Sequence, residues 1–176
     1  MVGNKSKGTI TFSYSSEELL NHAGIISSYM AKSIGNDGEL LDRYSVSKDE
    51  EEIFKVCVKQ SLSSIYEVVI QLTSKVENAL QDSVEVKADE TTGLMRKVGT
   101  YVEITVKDNG AYNANTLNIM DKILRDCIVY GSLTSFYSVN MNADLFRISQ
   151  ANLDSSMSSL KKTLFYLRKK KTFSLM

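Results

Sequence analysis

The sequence predicts a mainly α fold, a helical bundle of about four helices with one inserted β-hairpin at about residues 83–106. Three observations predict it. Apolar residues recur at helical spacing through four long stretches, the period changes to two on either side of a Gly-containing loop, and proline is absent from all 176 residues. A chain of about 150 residues buries roughly 70% of its unfolded surface, so this length predicts a single domain with a sizeable core.

Residues 1–14 read as a flexible arm or a short strand. From Gly8 to Tyr14, Ile10, Phe12 and Tyr14 alternate with Thr9, Thr11 and Ser13. Ser15 and Glu18 then form a capping box that opens a helix to about Ile34. Its expected inner face is Leu19, Ala23, Ile26, Tyr29, Met30 and Ile34, and the glycines at 35 and 38 end it. The next connection carries Leu40, Leu41 and Tyr44 and is expected to lie against the body.

A second capping box, Ser47 and Glu50, opens a helix to about Lys75. Ile53, Cys57, Ile65, Val68, Leu72 and Val76 fall on one side and Phe54, Val58, Leu62 and Val69 on another, so cover on all sides is expected. Next, Val84, Val86 and Ala88 alternate with polar residues, as do Val102, Ile104 and Val106. An isolated hairpin is marginal in water. This one is expected to pack on the helices, to pair with the 8–14 strand, or to find a partner in another subunit.

The most apolar helix is 115–137. Leu117, Met120, Leu124, Cys127 and Ile128 form one side, and Ile119, Ile123, Tyr130, Leu133 and Tyr137 widen the stripe. Asn113 or Asn115 caps it, and residues 140–142 break it from the last helix. With the 48–75 helix it is expected to form a buried antiparallel pair. The last helix, from about Ala143 to Arg168, tracks one face through Leu145, Ile148, Asn152, Leu153, Met157, Leu160, Leu164 and Leu167. Serines and asparagines weaken its middle, so packing must stabilise it.

Charge sums to zero, with 21 acidic and 21 basic residues, but its distribution is uneven. Residues 37–52 carry a net −5, and after Asp154 the only charged residues are bases: Lys161, Lys162, Arg168, Lys169, Lys170 and Lys171. Solvated helix ends give such a pattern, and so do copies that meet head to tail. The start lacks the apolar run of a signal peptide, and no segment reaches the length of a membrane span, so assembly in a cytoplasm is expected.

Chemistry is sparsely encoded. His22 is the single histidine, read as solvated or locally bonded, and it supplies no base whose nucleophile spacing can nominate. Cys57 and Cys127 are too far apart for a zinc pair and read as reduced core thiols. The acids 49–52 point in different directions on a helix, and the nine glycines are scattered without a phosphate-binding pattern. No catalytic residue, cofactor or metal site is expected.

The C-terminal residues 168–176 read as a basic and apolar docking tail. Arg168, Lys169, Lys170 and Lys171 provide charge for steering, and Phe173, Leu175 and Met176 provide anchors for burial in a partner. The same basic run can hold a nucleic-acid backbone by counterion release, although zero net charge and the lack of a groove-reading element weigh against this. A solvated tail is the third reading.

The order of elements, with the stretch LRDCIVYGSLTSFYSVNMNADLFRISQANLDSSMSSLKKTLFYLRKKK, resembles the head-to-tail connector, or adaptor, proteins of tailed bacteriophages. The resemblance spans roughly residues 47–171 and rests on pattern, because that family has no invariant catalytic motif. It implies a structural virion component at the head-tail junction, made in the bacterial host cytoplasm. It implies a homo-oligomeric ring, commonly of twelve copies, beneath the portal protein and beside other tail or neck proteins. The C-terminal tail would then dock on portal subunits, near DNA but without sequence-specific binding. The alternative is a cytosolic helical protein, nucleic-acid-associated or regulatory, that binds through its basic tail.

Overall fold

The computed structural model describes residues 4–6, 9–35, 44–74, 84–88, 102–107 and 113–172. Among these residues the fold is mainly helical. Helices α1 (Ser16–Ile34), α2 (Glu51–Ser74), α3 (Ala114–Val139) and α4 (Ala143–Thr172) accompany strands β1 (Asn4–Ser6), β2 (Thr9–Tyr14), β3 (Val84–Ala88) and β4 (Val102–Lys107). A 3₁₀ turn, Lys48–Glu50, leads into α2.

The period-two segments form the expected antiparallel hairpin, β3 with β4. Its further partner is the N-terminal strand: β2 pairs with β4 and β1 with β2, giving a four-stranded antiparallel sheet in the order β1-β2-β4-β3. The register sets Ile10 opposite Val106, Phe12 opposite Ile104 and Tyr14 opposite Val102. Ile10, Phe12, Tyr14, Val102 and Ile104 are all buried, so this apolar row faces the core. The loop between the hairpin strands lies outside the described residues, as do Leu40, Leu41 and Val76.

Side-chain caps set the helix starts. Ser15 Oγ accepts the Glu18 amide at 3.0 Å, and Asn113 Oδ1 accepts the Thr116 amide at 2.9 Å. The Ser47 amide donates to the Glu50 carboxylate at 3.0 Å. Between α3 and α4 the chain reverses in a tight turn where Met141 adopts φ 53°, a left-handed conformation uncommon for a residue with a Cβ. Asn142 then caps α4 by accepting the Leu145 amide at 3.0 Å.

Helix α3 is the centre of the bundle, packed against both α2 and α4. Tyr137 donates to the Tyr44 carbonyl, just before α2, whereas Ser61 farther along α2 meets Ser132, earlier in α3. The contacts run in opposite chain order, so α2 and α3 are antiparallel. They come close together at Gly131, where an added Cβ would lie 2.6 Å from that of Ser61. Both cysteines are free and buried in this core, and burial raises their thiol pKa values, that of Cys127 to about 12.

Two expected faces are corrected. Helix α1 buries Leu19, Leu20, Ala23, Ser27, Met30 and Ala31, while Tyr29 is 71% exposed and Ile34 is also exposed. The buried arc is centred nearer Leu20 and Ser27 than the apolar pattern implied. Helix α2 is not covered on all sides: Phe54, Cys57, Val58, Leu62 and Ile65 are buried, but Ile53 and Val56 face outward. Ile119 of α3 is likewise exposed. In α4, Leu145, Ser149, Leu160 and Leu164 are buried, and the helix continues four residues past Arg168.

Candidate functional site

Two features gather polar or accessible groups. The first is a charged cluster between α1 and α3 at the end of β2. Asp121 and Arg125 are one turn apart on α3, as Glu18 and His22 are on α1, so each helix presents its pair on one side. Tyr14, fully buried, donates its hydroxyl to the Asp121 carbonyl at 3.1 Å. Arg125 Nη2 donates to Asp121 Oδ2 at 2.6 Å, and Arg125 Nε lies 3.7 Å from Glu18 Oε1. His22 Nε2 lies 3.9 Å from Asp126 Oδ1. The last two separations are ion-pair distances rather than hydrogen bonds. Asp121 Oδ1 and Arg125 Nε therefore remain buried without a hydrogen-bond partner among the described residues.

A cleft of about 340 Å³ opens over this cluster, bounded by His22, Asn118, Lys122 and Asp126 besides Asp121 and Arg125. Burial, reinforced by Asp121, pushes the Tyr14 phenol far above its ordinary pKa, so it stays protonated at neutral pH. Burial also raises the Asp126 carboxyl, with His22 acting the other way. For Arg125, burial opposes the charge, but the bond to Asp121 and the negative charges of Asp121 and Glu18 together outweigh it, and its pKa is raised. These contacts tie β2, α1 and α3 together. No group of three or more His, Cys, Asp or Glu that could hold a metal is present among the described residues.

The second feature is an open groove of about 520 Å³ between α1 and the strap that precedes α2. Its apolar walls are Leu20, Ile25, Tyr29 and Val46, with Lys32 and Lys48 at the rim. The strap is firmly held. The Val46 amide donates to Ser27 Oγ at 2.9 Å, and the Ser28 and Ser45 hydroxyls meet at 3.1 Å. Gly24 permits this approach, since a Cβ there would stand 3.0 Å from the Val46 carbonyl. Ile25 and Tyr29 are one turn apart on the outer side of α1 and are 58% and 71% exposed.

Of the residues singled out in the sequence, Arg168, Lys169, Lys170 and Lys171 belong to the last turns of α4 by backbone conformation, and Phe173, Leu175 and Met176 lie outside the described residues. His22 is locally paired with Asp126. The acids 49–52 do not converge: Glu50 bonds the Ser47 amide, while Glu51 and Glu52 both meet Lys55, at 3.1 and 2.8 Å. Sequence reasoning missed the cluster of Tyr14, Asp121 and Arg125. The available signal was an acid and a base one turn apart inside the most apolar helix. It missed the groove because Tyr29 was assigned to the inner face.

No family model, curated protein or solved structure matches this chain. No helix among the described residues is long and apolar enough to cross a membrane.

Proposed function

We propose that this chain is a structural, ring-forming subunit, a head-to-tail connector that docks to a portal and joins a capsid to its tail. One observation carries the reading: large apolar side chains face outward in turn-spaced groups on a well-packed bundle. They are Ile25 and Tyr29 on α1, and Ile53 and Val56 on α2. Scattered apolar surface is ordinary, but grouped apolar residues, one pair of which lines a groove, suit repeated protein contacts. The unequal distribution of charge supports contacts between unlike surfaces of successive copies.

The basic run also supports a second reading, contact with a nucleic-acid backbone. Co-expression with a portal protein tests the first reading. The full chain is expected to purify with the portal ring, and a chain lacking Thr172–Met176 is expected to keep its helical circular dichroism and melting temperature but lose that association. Failure of the full chain to associate, together with DNA binding that falls steeply between low and physiological salt, would favour the second.

A further inference from the structure

We propose that Phe173–Met176 of one copy enter the groove between α1 and the Val46–Lys48 strap of the next copy. This rests on the assembly reading and names the contact through which copies join.

Reach is the first argument. The strap is bonded to Ser27 through Val46, and Tyr44 beside it to Tyr137, one turn before the connection between α3 and α4. The groove is therefore at the end of the bundle where α4 begins. From there α4 runs 30 residues, about 45 Å, away from that end. The four residues beyond Thr172 span at most about 14 Å. They cannot return to the groove of their own chain, whereas another copy's groove has no such restriction.

Chemistry is the second. Phe173, Leu175 and Met176 match apolar walls formed by Leu20, Ile25, Tyr29 and Val46. Arg168–Lys171 precede them, and the acids Asp49–Glu52 come directly after the strap. On α1, Glu17, Asn21, Ile25 and Tyr29 form one exposed row at four-residue spacing, so an acid also terminates the apolar row. Lys32 and Lys48 at the rim repel the basic turn, which places it over the acidic end and not over the groove's centre. Donor segment and acceptor groove are different surfaces, so the contact is heterologous and propagates until rotation closes it into a ring.

The test uses the full chain and a fluorescent peptide of residues 165–176. The peptide is expected to bind the full chain, to bind Ile25→Asp and Tyr29→Ser chains about tenfold more weakly or worse, and to weaken with salt. Circular dichroism checks that both variants remain folded, and their outward-facing side chains make this the expected result. In sedimentation velocity, a chain lacking 173–176 and the Ile25→Asp chain should each remain monomeric. Mixed together they should form one-to-one dimers, because one retains a groove and the other a tail. No peptide binding, or binding unaffected by both substitutions, overturns the proposal. So does a truncated chain that self-associates normally and loses only portal binding, a result that leaves the connector reading standing. Peptide binding with no portal association does the reverse.

Discussion

Helix α3 meets its neighbours across two contrasting seams. Toward α2 the contact is close and small-featured: Gly131 lies against Ser61, and the Ser61 and Ser132 hydroxyls, 3.5 Å apart, each donate to a carbonyl of their own helix. Toward α1 the contact is longer and charged, through Glu18, His22, Asp121, Arg125 and Asp126. Shape fixes the first seam; charge and protonation set the second. The two should therefore respond to different perturbations, volume in one case and pH or charge removal in the other.

The largest effect is expected at the close seam. Gly131→Val inserts atoms where a single Cβ already meets Ser61, and overpacking should reduce stability by about 3 kcal/mol in chemical denaturation. Ser61→Gly in the same chain should recover much of that loss, since the two positions share one contact. Absence of recovery would mean that the seam is not limited by this approach.

At the charged seam, Arg125→Ala leaves the buried Asp121 carboxylate without its cation. The expected cost is about 2 kcal/mol, below that of a fully enclosed pair because the Arg125 side chain is 27% exposed. An unchanged melting temperature would show that solvent compensates Asp121.

The smallest effect has the opposite sign. Burial raises the Asp126 pKa above its unfolded value, so the stability linked to this group is present below the unfolded pKa and lost as pH rises through the folded one. At neutral pH the charged carboxylate is thus a net cost, reduced by His22. Asp126→Asn should stabilise the protein at pH 7 by less than about 1 kcal/mol, with the gain shrinking toward acid pH. A loss of stability at pH 7 would show that the His22 pairing outweighs burial.

The close seam was partly legible in the sequence, and the charged one was hardly so. The apolar period located α3, both cysteines and the core leucines because burial selects by hydrophobicity along a helix. Ser15, Asn113 and the Ser47 and Glu50 pair marked helix starts because capping is local chemistry. Alternation marked β2 and the hairpin and left their pairing as one of three options, because choosing it depends on residues about ninety positions apart, such as Tyr14 and Val102. Tyr29 was misplaced since an apolar ring on a helix has the same spacing signature whether it faces its own core or the outside. The Tyr14, Asp121 and Arg125 contacts, and the groove walled by Val46, likewise arise only when separate elements meet.

Assembly into a closed ring is the central claim, and native mass spectrometry of the purified full chain over increasing concentration tests it most directly. The expected spectrum passes from monomer to one dominant closed oligomer, with twelve copies the number implied by the connector reading, and intermediate sizes sparsely populated. A chain that stays monomeric at every concentration, both alone and with a portal ring, would contradict it.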